Sequence, residues 1–285
     1  MHSSPSPPTP SLLPGALYHD PAVVGGVAVA LMLGTYGLSG VPVDLPLLGA
    51  GFCGTALTYL ADRWWVDTPE DRVNRPERVA WVQSHARWLA VETAVLFALG
   101  GAMVLYLERT TLLWAGGLGV VAGLHVLQGR AGRSFWGVPK PVALAGAWAA
   151  GGTLLPLVEA GHPLGGEALL FFGYRGLYVL PNLLLADWAD RTGDAAVGLA
   201  PWAAQWTARQ VRWAATGSLL LAAVGAAIWR VADVTPLLVG IDAVGLLLMA
   251  GVVWGLDPER THTALLADLV VGWPVVPALV AWMIV

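Results

Sequence analysis

Two short stretches concentrate the acidic side chains of an otherwise charge-poor chain. The first, LADRWWVDTPEDRVNRPERV at residues 60–79, carries Asp62, Asp67, Glu70 and Asp71 interleaved with Arg63, Arg72, Arg75 and Arg78. The second, PNLLLADWADRTGDAAVG at 181–198, carries Asp187, Asp190 and Asp194. Separations of three and four residues put this second set on one helical face. Carboxylates crowded in this way repel one another unless a cation lies among them. Their hard oxygens suit Mg²⁺, which takes one or two carboxylates and completes its shell with water and substrate phosphate. Arginine beside them suits a diphosphate, whose oxygens match the guanidinium fork. One such loop alone is explained by solvation next to a membrane; two on the same side favour a site. A local role competes at one position. Thr68-Pro69-Glu70-Asp71 has the order of a helix start, with Thr as N-cap, Pro at the first helical position and an acid at the third. Asp71 is therefore a cap candidate as well as a metal-ligand candidate. Pro69 also breaks the register between Asp67 and Asp71, so the two are not assigned to one face.

The elements that must position these loops are apolar helices. Of 285 residues, 56% are hydrophobic, and 15 Lys+Arg with 19 Asp+Glu make only 12% charged, about half the usual share. Mean hydropathy is +0.65. This composition excludes a disordered chain, a nucleic-acid binder and a disulfide-stapled scaffold, and Cys53 stands alone. Apolar runs at about 22–40, 45–61, 88–107, 111–128, 141–158, 166–186, 211–229, 235–255 and 268–285 predict nine helices near the length that crosses a bilayer. The runs lack period-two alternation, so a barrel is not expected. The fold class is all-α: a polytopic membrane domain over 22–285, preceded by a flexible or loosely docked Pro/Ser-rich arm over 1–21. Paired glycines (25–26, 100–101, 116–117, 151–152) suit close helix packing. Trp64, Trp65, Trp81 and Trp88 suit interface anchors.

Basic residues set the orientation. With nine alternating helices, all Lys+Arg except Arg109, Arg175 and Arg230 collect on the side of the two acidic loops. The positive-inside rule places those loops in the cytoplasm and the C-terminus outside, in an inner or plasma membrane.

The two clusters resemble the paired aspartate motifs of the UbiA superfamily of intramembrane prenyltransferases. The first motif runs approximately NDxxDxxxD, often followed by NRP; Asp67 and Asp71 match its second and third Asp, and Asn74-Arg75-Pro76 matches the tail. The second often reads KDxxDxxGDxxxG; Asp187, Asp190, Gly193, Asp194 and Gly198 match throughout. Those motifs follow helices 2 and 6 of a nine-helix fold, where they fall here. Departures are Arg63 at the leading Asn, Asp62 one residue early, Ala186 at the usual Lys and Asn182 where a Tyr often stands. The resemblance implies Mg²⁺-dependent transfer of a prenyl group from a polyprenyl diphosphate to a lipid-soluble acceptor: a quinone precursor, tetrapyrrole or lipid. It implies metal ligands at Asp67, Asp71, Asp187 and Asp190, with Asp194 completing the acidic set, and diphosphate contacts at Arg72, Asn74, Arg75 and Arg191. The altered positions keep an alternative open, a non-catalytic UbiA-fold protein that binds a lipid, pigment or membrane partner complex.

Other polar residues fall inside apolar runs. Asp242 is expected to be protonated or paired with an Arg, because an isolated intramembrane charge is costly. His125 suits a helix-to-helix hydrogen bond better than a pigment metal.

Overall fold

The computed structural model describes residues 15–64, 69–131, 140–197, 203, 205–231 and 236–284. Among these residues the regular structure is helical throughout. The elements are α1 (Gly15–His19), α2 (Pro21–Ser39), α3 (Leu45–Trp64), α4 (Pro69–Asn74), α5 (Pro76–Ser84), α6 (Ala86–Val104) and α7 (Arg109–Ala131). There follow α8 (Lys140–Glu159), α9 (Gly166–Ala189), α10 (Arg191–Val197), α11 (Ala208–Val231), α12 (Pro236–Gly255), α13 (Thr261–Val271) and α14 (Val275–Ile284). Four of them begin on a proline, whose fixed φ suits the first helical position and whose missing N–H is unpaired there in any case. The Pro69 start matches the expected order of residues 68–71; Thr68, like Asp67, lies outside the described residues.

Among the described residues, seven segments are long and apolar enough to cross a bilayer: α2, α6, α8, α9, α11, α12 and the α13–α14 pair. The chain is an integral membrane protein. Helices α3 and α7 fall on the expected runs 45–61 and 111–128 and have 20 and 23 residues. The last span starts at Thr261, earlier than the expected 268, and breaks at Gly272–Pro274. The expected arm over 1–21 also ends sooner. Its residues 15–19 form α1, which lies against α5, with the His19 ring centroid 5.9 Å from that of Trp81. Asp20 then caps α2 by accepting the Ala22 N–H at 2.9 Å.

The C-terminal half (α9 and α11 to α14) shares one large core built around Phe171, Tyr174, Tyr178, Leu246 and Met249. Arg175 and Asp242, each 1% exposed, meet inside it at 2.9 Å. Tyr174 Oη donates to the same carboxylate oxygen, and the rings of Phe171 and Tyr174 lie about the guanidinium at 5.1 and 5.2 Å. Of the two expectations for Asp242, Arg pairing is the one found.

Prolines inside helices remove an N–H and leave the carbonyl four residues earlier without its helical partner. At two of them a neighbouring hydroxyl takes that place. Thr35 Oγ1 on α2 donates to Gly152 O at 2.6 Å, opposite Pro156. Ser218 Oγ on α11 donates to Leu177 O at 2.6 Å, opposite Pro181. At the α13–α14 break, Val270 O, four residues before Pro274, accepts the Trp273 N–H at 2.9 Å and is also met by Tyr178 Oη. The chain around Pro156 also widens into a π turn at Ala150–Leu154.

In the N-terminal half, glycines set the helix spacings. A Cβ at Gly34 or Gly37 would collide with Pro274 or Ala278 of α14, and one at Gly100 would meet Cys53 Cβ at 2.9 Å. Of the expected glycine pairs, Gly25, Gly100 and Gly152 are close-packed, while Gly116 and Gly117 face open space. Helices α2, α3, α7 and α8 surround a cavity of ≈ 380 Å³. Asp62 marks one end of it, and Leu47, Leu107 and Leu155 mark the other.

Candidate functional site

The two acidic stretches, far apart in sequence, meet where α4 packs against α10. Asn74 joins them. Its Nδ2 donates to Asp190 O at 2.6 Å and to Asp194 Oδ1 at 3.4 Å, and its Oδ1 accepts the Gly193 N–H at 2.7 Å. The contact requires glycine at 193, because a Cβ there would lie 2.5 Å from Glu70 O and 2.6 Å from Asn74 Nδ2. Asn74 thus ties one loop to the other through the polar groups it was expected to offer a diphosphate.

Bases thread the same junction. Arg75 Nε lies 2.7 Å from Asp190 Oδ1, Arg78 pairs with Asp71, and Lys140 Nζ lies 3.3 Å from Asp187 Oδ1. Lys140 comes from the first turn of α8. The sequence reading counted it only for orientation, although it is the sole lysine among 14 arginines. That singularity was the one available signal. Its side chain is 42% exposed, whereas those of Arg75 and Arg78 are 16% and 23% exposed. Arg191 is engaged elsewhere: its terminal nitrogens reach Trp188 O at 2.9 Å and Glu259 at 2.6 Å, and its guanidinium lies 3.6 Å over the Trp188 ring. Arg72 is exposed on α4. Asp67 and Gly198 lie outside the described residues.

The altered positions also find partners. Asn182, at the expected Tyr, donates to Asp268 at 2.8 Å. Arg63, at the expected Asn, is buried and has no hydrogen-bond partner at Nη1 among the described residues. Asp20, Asp62 and Arg78 surround it electrostatically.

The carboxylates of the junction still act on one another. Burial pushes the Asp194 carboxyl up to about 7; Lys140 works against this, while Asp190, Asp187 and Glu70 add to it. Burial likewise raises Asp71, opposed by Arg78 and reinforced by Asp62 and Asp190. A hard divalent cation fits such a donor set. No three His, Cys, Asp or Glu side chains among the described residues converge on one point.

The junction lies at the Asp62 end of the cavity. Tyr59 and Trp148 follow within, their ring centroids 6.5 Å apart at 66°, and aliphatic residues line the remainder. A charged mouth over a dry chamber can hold an anionic head group and its hydrocarbon tail together.

No protein-family model and no curated protein sequence matches the chain. Solved structures do. A UbiA homologue from Aeropyrum pernix K1 is 16% identical, with a TM-score of 0.61 over 91% of this chain and 98% of that one. A UbiA homologue from Archaeoglobus fulgidus, bound to GPP and Mg²⁺, is 10% identical, with a TM-score of 0.61 over 92% and 99%. A structure concerned with digeranylgeranylglyceryl phosphate synthase in membranes is 16% identical, with a TM-score of 0.56 over 94% and 96%. The chain has the same fold as these proteins along nearly its whole length.

Proposed function

We propose that this chain, built on the UbiA fold, binds a polyprenyl diphosphate and transfers its prenyl group to an apolar acceptor within the membrane. The observation that carries this reading is the convergence of both acidic stretches, tied by Asn74, at the Asp62 end of an apolar cavity. Asp71, Asp187 and Asp190, with Asp67, would hold Mg²⁺. Bound there, the ion supplies Lewis-acid neutralisation of diphosphate charge. Lys140 is the most exposed of the bases paired with Asp71, Asp187 and Asp190 and can exchange Asp187 for a phosphate oxygen, while Arg75 and Arg78 fix the carboxylates from behind. Arg72 adds positive charge at the rim. The prenyl chain lies in the cavity, where Tyr59 and Trp148 keep water from its allylic carbon. The C1–O bond breaks with its electron pair on the diphosphate; the acceptor bonds to C1 and releases a proton. A quinone precursor, a tetrapyrrole or a lipid meets the requirement for an apolar acceptor. Basic-residue placement favours a cytoplasmic junction and an outer C-terminus, in an inner or plasma membrane.

One observation favours the second reading, a UbiA-fold protein that binds a lipid, pigment or membrane partner without transferring anything. Asp71, Asp187 and Asp190 each have a base from the chain itself as neighbour. The test is incubation of the purified full-length protein with Mg²⁺ and geranylgeranyl diphosphate, following diphosphate release. Turnover that falls at least 100-fold in Asp190→Asn and Asp71→Asn supports transfer; binding without release in the unaltered protein supports the second reading.

A further inference from the structure

The cavity has a floor, and three helices measure its depth independently. On α3 the apolar lining runs from Thr58 to Leu47, on α8 from Leu144 to Leu155, and on α7 from Val126 to Ala115. Each stretch is 11 residues apart in sequence, and at 1.5 Å per residue each spans about 16 Å. From Asp62 at the mouth to Leu47 the same rise gives about 22 Å. Leu107 and Leu155 pack into one cluster with Leu47, Met32 and Tyr36, closing the far end. One turn farther out, both carboxylate oxygens of Glu159 accept the Glu108 N–H at 3.2 Å, fastening the start of α7 to the end of α8 beneath that cluster. An extended isoprene unit advances four carbon–carbon bonds, or about 5 Å.

We infer that the cavity is a ruler for a donor chain of three to four isoprene units, the farnesyl and geranylgeranyl class. Leu107 and Leu155 set its far limit. The inference rests on the prenyl-diphosphate reading and narrows it to a length. A two-unit chain leaves the floor uncovered and forgoes apolar burial. A six-unit chain, about 30 Å extended, exceeds the depth and must bend or break the packing of Leu47 and Leu155.

Two substitutions move the limit in opposite directions. Gly54 lines the cavity about 12 Å from Asp62 along α3, and a Cβ built on it meets nothing within 4 Å. Gly54→Leu therefore starts from an unobstructed Cβ and extends the side chain into the chamber. Leu155→Ala opens the floor.

The experiment measures dissociation constants of geranyl, farnesyl, geranylgeranyl and hexaprenyl diphosphates, with Mg²⁺, on the purified full-length protein in detergent. Monodispersity and thermal unfolding of each variant are checked in parallel. Farnesyl and geranylgeranyl diphosphate are expected to bind at least tenfold more tightly than geranyl or hexaprenyl diphosphate. Gly54→Leu shifts the optimum to geranyl, and Leu155→Ala relaxes the penalty on hexaprenyl. Equal affinities across the series, or an optimum unmoved in folded variants, overturn the ruler and leave the prenyl-diphosphate reading standing. Failure of every prenyl diphosphate to bind the folded, unaltered protein overturns both.

Discussion

The two halves of this bundle differ in what occupies their interior. In the C-terminal half, polar atoms are pins: Arg175 to Asp242, Ser218 to Leu177 O and Tyr178 to Val270 O hold α9 against three neighbours. In the N-terminal half, small residues leave room, and α2, α3, α7 and α8 stand around a chamber instead of filling it. Burial also varies within the N-terminal half itself. Helix α6 is only 17% buried across its apolar window, whereas α8 is 61% buried. Helix α9 belongs to the rigid half and carries Asp187 at its inner end. The difference teaches that the candidate site draws its charge from both halves, Asp71 and Lys140 from one and Asp187 from the other, while the apolar chamber belongs to the N-terminal half alone.

Breaking the strongest pin tests the rigid side. Asp242→Ala leaves the Arg175 guanidinium buried and uncompensated and is expected to cost about 3–5 kcal/mol, read from reversible unfolding in mixed micelles. Replacing both partners by apolar residues of similar volume should recover most of that loss; a double variant as weak as the single one would argue against a pin. Next in size come the glycines. Gly34→Ala drives a methyl into Pro274 and should cost about 1–3 kcal/mol, while Gly54→Ala, facing open space, should stay within about 0.5 kcal/mol of the parent in the same assay. The hydroxyl bridges rank third. Ser218→Ala in the rigid half and Thr35→Val in the open half should each cost about 1 kcal/mol, and similar values would show that this device serves both halves alike.

The smallest effect concerns α1. Burial holds the His19 imidazole down at about 4, with Arg63, Arg78 and Arg75 adding to the depression. A depressed histidine favours docking fully above its ordinary value of 6.5 and loses that contribution as pH falls toward 4. Hydrogen-exchange protection factors of amides 15–20, corrected for the pH dependence of intrinsic exchange, should therefore fall on acidification through this window, and His19→Gln should flatten the dependence.

Much of this was legible in the sequence, for physical reasons. A bilayer demands long apolar runs, so most of the helices stand out, and the acidic stretches stand out against them. The Pro69 start of α4 follows from local chemistry alone. What escaped is what depends on distance in space. Lys140 is 47 residues from Asp187, and no local pattern links them. Asn74 resembled a ligand contact because its partners, the 190–194 backbone and Asp194, lie 116 to 120 residues away. The partner of Asp242 was foreseen as an arginine in kind, but its identity as Arg175 emerges only when α9 and α12 pack. Hydropathy also left hidden which helices enclose space: that α2, α3, α7 and α8 border one chamber emerges only from their packing.

The proline-opposed carbonyls impose a timetable on biogenesis. When α8 leaves the ribosome, Thr35 has already been made, so the bare carbonyl at Gly152 can be met as soon as the helices touch. Leu177 must wait, because Ser218 lies 41 residues later in the chain. At about 5–20 residues per second that delay is roughly 2–8 seconds. During it, α9 holds an unsatisfied carbonyl ten residues before Asp187. The acidic wall of the site is thus complete in sequence well before the bond that steadies it can form, and α11 is the helix whose arrival ends the interval.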